Sequence, residues 1–133
     1  VYGLGLTGTY SDRMIYDFSV VRDVPEDAIQ IASGMDFGKS PDPTVLVNCY
    51  MKGVNMYVDE VFIENNLMTE KIKGAERESI VDRMDNIKYS KTQLIIGDSA
   101  GKTELTDLKK YGYNVRGVKK IANFLHFFTM YLI

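Results

Sequence analysis

Ile31-Ala32-Ser33-Gly34-Met35-Asp36-Phe37-Gly38-Lys39-Ser40-Pro41-Asp42-Pro43 is the stretch whose reading decides the fold. It has the form of a strand that ends in a carboxylate, followed at once by a glycine turn and a proline-bounded loop. An acid placed there projects from the rigid end of a strand into the cleft that the loop borders. Leu94-Ile95-Ile96-Gly97-Asp98-Ser99-Ala100-Gly101 repeats the layout: apolar run, glycine, Asp, small residues. If the two strands are neighbours, Asp36 and Asp98 face each other across one cleft.

Outward from this pair, the first core strand runs from about Ile29 to Asp36. Thr44 to Met51 is a nearly continuous apolar run, as in a strand covered on both faces. Lys52-Gly53 makes a turn, and Asn55 to Ile63, β-branched and aromatic, is a third strand. Short turns make these three strands successive antiparallel neighbours. Met68, Ile72 and Ala75 keep helical spacing, and Ile80, Met84 and Ile87 keep it again after a phase shift near Gly74. That spacing predicts one kinked helix or two short ones. Leu94 to Gly97 is a buried strand reached by a helical crossover, hence parallel to an earlier strand. Leu105 and Leu108 share one face of a following helix that Gly112 ends from the C′ position. Tyr113 to Val118 is a fifth strand. Residues 119–133 read as helical, although Phe124, Phe127, Phe128 and Tyr131 also suit a strand.

The order β-β-β-α-β-α-β describes an α/β fold, a mixed five-stranded sheet with helices on its faces. Strands 1–3 are antiparallel and the sheet order is 3-2-1-4-5. Strand 1 then lies beside strand 4, which brings Asp36 and Asp98 to the same edge. Residues 1–28 form an N-terminal β arm or hairpin with its linker, and residues 29–133 the domain proper.

At 133 residues the chain suits one domain with a sizeable core. Its apolar and charged fractions are those of a globular protein. The net charge of −2 favours no partner class, but acids outnumber bases from Asp59 to Asp85, whereas Lys102, Lys109, Lys110, Arg116, Lys119 and Lys120 cluster late in the chain. Such asymmetry permits a local basic face as well as an ordinary solvated surface. Cys49 is the only cysteine, which excludes a disulfide framework and a Cys-based zinc site; it reads as a small buried residue. His126, also alone, leaves no His–carboxylate pair for a Ser or Cys triad without overusing it. No signal peptide opens the chain, and the apolar run 121–133 falls short of the ~20 residues that span a bilayer. These features suggest a reducing, cytoplasmic setting without a membrane. The start at Val1 and the apolar end at Tyr131-Leu132-Ile133 suggest a piece of a longer protein, or a homodimer formed through that end.

Two carboxylates at adjacent strand ends, with no His or Cys nearby, suit hard cations such as Mg²⁺ and Mn²⁺. Two such ions roughly 3.5–4 Å apart can activate a water and stabilise the leaving oxygen of a phosphodiester. Asp36, on the central strand, would bridge them, and Asp98 would hold one. A third protein ligand is not evident after Asp98, since Asp107 falls mid-helix. Structural alternatives exist for both acids: a turn initiator at Asp36 and a helix N-cap at Asp98.

Several blocks of the chain together resemble the C-terminal nuclease domain of tailed-phage terminase large subunits. They are Gly34-Met35-Asp36-Phe37-Gly38-Lys39-Ser40-Pro41-Asp42-Pro43-Thr44, Val58-Asp59-Glu60, Ile96-Gly97-Asp98-Ser99-Ala100 and Lys109-Lys110-Tyr111-Gly112-Tyr113-Asn114-Val115. The resemblance runs from about Tyr2 to Lys120. It implies an RNase H-like fold and a two-metal endonuclease that cuts concatemeric double-stranded DNA during genome packaging, in the bacterial host cytoplasm. Asp36 and Asp98 would be its metal ligands and catalytic residues. Its partners would be double-stranded DNA, the terminase ATPase domain, the small terminase subunit and the portal. The family's third acid lies beyond the end of this chain, so the domain is C-terminally incomplete.

Glu60 is an auxiliary candidate, on a strand face with Met56, Val58 and Phe62. Lys39, Lys102, Lys119 and Lys120 are candidates for meeting DNA phosphates. Two other readings compete. Gly97-Asp98-Ser99-Ala100-Gly101-Lys102-Thr103 nearly spells a P-loop, but with three residues between its glycines where four are needed. A non-catalytic remnant, or a module that only binds DNA or protein, is the other.

Overall fold

The computed structural model describes residues 17–39 and 41–118. Five strands and two helices follow one another: β1 (Ile29–Asp36), β2 (Thr44–Lys52), β3 (Asn55–Glu64), α1 (Ile80–Asn86), β4 (Ile95–Asp98), α2 (Lys102–Lys110) and β5 (Val115–Val118). They form one sheet in the order β3-β2-β1-β4-β5. β1 and β3 are each antiparallel to β2, while β4 is parallel to both β1 and β5. The expected topology and sheet order are therefore those observed. Residues 17–28 of the expected arm form neither strand nor helix. The rest of the arm and the helix expected over 119–133 lie outside the described residues.

Both helices cover one face of the sheet. Met35, Leu46, Phe62, Ile95 and Val115 from the strands meet Ile80, Val81 and Met84 of α1 and Leu105 and Leu108 of α2 in a single core. One polar rung interrupts it. Asn48 Oδ1 accepts from the Ser33 hydroxyl at 2.9 Å and from the Tyr89 hydroxyl at 2.7 Å, and Ser33 is fully buried. A satisfied polar cluster of this kind resists a slip of register, because a slip would strand its donors in an apolar layer. Cys49, at 1% exposure, is buried as its sequence suggested, and burial pushes its thiol pKa up.

The region between β3 and α1 departs from expectation. Met68, Ile72 and Ala75 are not helical; residues 65–79 form an irregular segment closed by a bridge between Met68 and Ser79. Left-handed backbone at Asn66 (φ +62°) and Gly74 (φ +80°) breaks any helix there. Lys71 then ties the segment down by a different logic. Its backbone N–H donates to Asp107 (2.9 Å), and its ammonium reaches Asp82 (3.0 Å) and Asp85 (3.1 Å).

The helix begins only at Ile80, where Ser79 and Asp82 build a reciprocal capping box. Both helices end in Schellman turns. In α2, Gly112 (φ +89°) donates to the Lys109 carbonyl and Tyr113 to that of Leu108. Gly112 thus occupies the C′ position expected for it. In α1 the left-handed residue is Lys88 (φ +53°).

Candidate metal centre

Asp36 is the last residue of β1 and Asp98 the last of β4. The last bonded rung between these parallel strands pairs Met35 with Gly97. Asp36 and Asp98 each follow that rung directly, and ideal strand spacing would set their backbones about 5 Å apart. Side chains alternate along a strand, so both carboxylates leave on the face opposite the buried Met35. β1, β3, β4 and β5 all run the same way, so their carboxyl ends share one edge. The chain's course also reverses between β1 and β4, with β2 and β3 lying to one side and β5 to the other. The crevice outside the carboxyl ends at such a switch is where open α/β sheets bind ligands.

Phe37 fixes the two acidic loops against each other. Its ring crosses from β1 and lies so close to Gly97 and Gly101 that a Cβ on either glycine would overlap it, at 2.8 Å for Gly97. Gly38 is pressed as tightly against the backbone of Pro43, and its N–H donates to the Thr44 hydroxyl at 3.1 Å. The loop after β1 is thus closed on itself, and Asp36 stands at its foot.

The structure separates the two acids by their secondary roles. Asp98 Oδ1 accepts from the Ala100 N–H at 2.9 Å, an Asx turn that orients the carboxylate. The helix N-cap is Gly101, not Asp98. At Asp36 the turn-initiating role is already filled, since the Gly38 N–H goes to Thr44. Asp36 is exposed, and no hydrogen bond or ion pair engages it among the described residues.

Glu60 does not join the pair. It sits opposite Val47 on β2, whereas Asp36 sits opposite Val45. This puts it two strands away, roughly 10 Å sideways, and about 7 Å inward along the sheet. A bulge at this rung also places Phe62 in the core opposite Leu46, so Glu60 and Phe62 do not share a face. Asp107 is spent on the Lys71 backbone. Glu104 was not singled out by the sequence, yet it is 4% exposed in the first turn of α2. Its signal was its place one turn before Leu108 on the apolar face of the helix. Among the described residues no three acids, histidines or cysteines gather closely enough to hold a metal. Lys39 and Lys102 are exposed in the loops that follow the two acids; Lys119 and Lys120 lie outside the described residues.

The near-P-loop is accounted for differently. Gly97 and Gly101 are small because of the Phe37 ring. Two of the loop's N–H groups, of Ala100 and Gly101, are turned inward onto Asp98. They are not splayed around a phosphate.

No protein-family profile and no curated protein matches the chain. Among solved structures it is similar to the crystal structure of the g2p (large terminase) nuclease domain from bacteriophage SPP1 with bound Mn. The two are 23% identical with a TM-score of 0.56, over 76% of this chain and 54% of the other. The chain therefore spans about half the length of the domain it matches. The likeness establishes the fold, which is RNase H-like, with the five-stranded order 3-2-1-4-5. No helix among the described residues is long and apolar enough to cross a membrane.

Proposed function

We propose that the chain is the nuclease domain of a phage or prophage DNA-packaging terminase, an endonuclease that depends on Mg²⁺ or Mn²⁺ held between Asp36 and Asp98. Its substrate would be the phosphodiester backbone of concatemeric double-stranded DNA. The placement of these two acids at the switch point of the sheet carries this reading. The Mn bound by the SPP1 domain of the same fold lends support.

The donor set fits a hard divalent cation: two carboxylates that each follow the last paired rung of β1 and β4, with one already oriented by an Asx turn. Such an ion would supply an activated water and charge stabilisation at phosphorus. The protein's own part is positional. Phe37 locks the two loops, Gly38 and Thr44 hold the foot of the first, and the Ala100 N–H fixes the second. A second ion would need a further carboxylate, and none among the described residues stands beside the pair. The same observation favours one rival, an RNase H-like module that binds without cutting. The ATPase domain, small subunit and portal as partners, and the host cytoplasm as the setting, belong to this reading too.

Calorimetric titration of Mn²⁺ and Mg²⁺ into the wild type, Asp36→Asn and Asp98→Asn tests it. Saturable binding lost in both variants is the expected result. Asn at 98 keeps an oxygen for the Ala100 N–H, so its loss of binding would report charge rather than a collapsed turn. Absence of binding in the wild type would refute the metal site. Binding without plasmid nicking would favour the non-cutting module.

A further inference from the structure

A groove of about 370 Å³ lies between the loop after β1 and the segment after β3, with Gly38, Lys39, Asn66, Thr69, Glu70 and Arg77 among its walls. We propose that it seats the phosphodiester backbone of one nucleic-acid strand beside the Asp36–Asp98 edge, with Lys39 and Arg77 as the phosphate-binding groups. This rests on the nuclease reading above and assigns it a path for the strand.

Place and rigidity point the same way, and Lys39 and Arg77 stand as cations without an ion pair among the described residues, alongside Glu70, Glu76 and Glu78 of the segment after β3. Gly38 and Lys39 follow Asp36 directly, and residues 65–79 leave the carboxyl end of β3 at the same sheet edge. The groove opens on the helix-covered side of that edge, where Leu67 joins the core, so the strand passes over the edge to reach carboxylates that leave on the other face. Two facing carboxylates repel a polyanion, so a strand brought to them needs cations on the flank. Lys39 and Arg77 are exposed, and no ion pair engages either among the described residues. Lys71, on the same segment, is by contrast neutralised by Asp82 and Asp85.

The walls are fixed in advance. Lys71 pins the outer one to Asp107, Asp82 and Asp85, and the Met68–Ser79 bridge closes it. Gly38 and Thr44 brace the inner one. Asn66 and Thr69 add neutral donors suited to phosphate oxygens. Among the described residues Glu70 is the one acid in the lining, which Leu67, Met68 and Ile72 complete with apolar surface, and its charge opposes that of the two cations.

The test is fluorescence anisotropy with a labelled DNA duplex, without divalent metal, across a salt series. For Lys39→Ala/Arg77→Ala we expect weaker binding and a log K against log[salt] slope shallower by about 2, close to 0.9 for each lost phosphate contact. Glu70→Gln should bind more tightly than the wild type. Lys109→Ala, at the opposite end of α2, should bind as the wild type does. An unchanged slope in the double variant, or no DNA binding by the wild type, would overturn the groove assignment. Mn²⁺ titration of the same proteins keeps the two readings apart. Intact metal binding with an unchanged slope sinks the groove alone. A shallower slope in the double variant, with no Mn²⁺ binding in any protein, upholds the groove as a strand-binding site and sinks the metal site alone.

Discussion

Gly101→Ala puts the link between the two acidic loops under direct test. Gly101 has φ −81° and ψ 55°, the inverse γ-turn region that L-residues also populate, so the substitution carries no left-handed penalty. What it meets is the Phe37 ring, with Cε2 at 2.9 Å and Cγ at 3.1 Å from the new Cβ and Cδ2 nearer still. Carbon atoms settle at about 3.5–4.0 Å, so the ring has to move. Overpacking of this kind costs about 1–3 kcal/mol. Gly101 is also the N-cap of α2, where alanine is a poorer residue, adding on the order of 0.5 kcal/mol. The expected loss is about 1.5–3.5 kcal/mol by urea denaturation.

The displaced ring belongs to the residue next to Asp36, so Mn²⁺ affinity should fall with stability although no ligand is changed. Phe37→Leu in the same background relieves the overlap and should recover the steric part while leaving the capping part. A loss under about 0.5 kcal/mol, or no recovery in the double variant, would refute the claim that Phe37 couples the loops.

Three further outcomes follow from the same geometry. Asp36→Asn should stabilise the metal-free protein by about 0.2–1 kcal/mol, the cost of like charges on neighbouring strands, and should abolish the thermal shift that Mn²⁺ gives the wild type; a shift that survives argues against Asp36 as a ligand. Asp82 and Asp85 have lowered carboxyl pKa values: burial pushes both up, but hydrogen bonds from Ser79 to the first, from Tyr113 to the second and from Lys71 to both outweigh it. Their contribution is complete above the ordinary carboxylate range and disappears as pH falls through the lowered values, so Asp85→Asn should flatten the fall in stability below about pH 4, which urea titrations over acid pH would show. Tyr89→Phe removes a hydroxyl from the Ser33–Asn48 cluster and should cost about 1–2 kcal/mol in urea denaturation. With Ser33→Ala added, the combined loss should differ from the sum, since both hydroxyls share one acceptor.

The strands were legible because their signals are local and redundant. The apolar run Thr44–Met51, the Lys52-Gly53 turn and the crossover before Ile95 leave few topologies open, and the length of that crossover makes β4 parallel to an earlier strand, which is β1. The Asp pair was legible for the same reason, since each acid ends a strand whose neighbours the topology dictates. The segment 65–79 was not. Its apolar spacing is genuinely helical, but a lysine held by three acids from α1 and α2 fixes it as a loop, and such tertiary ties leave no periodic trace. The bulge at Val61 was equally hidden, because one extra residue reverses which side of β3 faces the core without altering composition. Arg77 and the groove could not be seen at all, as they depend on where that misread segment goes.

The contrast between the two acids bears most directly on function. Asp98 does structural work in its turn, so its presence alone would be explained by the fold. Among the described residues Asp36 does none: the turn after β1 is made by Gly38 and Thr44, and the carboxylate is left exposed near a like charge. A neutral residue at 36 would serve the sheet better, because like charges on adjacent strands oppose each other. That mismatch between local stability and residue choice is what supports Asp36 as a cation ligand in the proposed nuclease. Asp36, more than Asp98, is therefore the residue on which the nuclease reading stands.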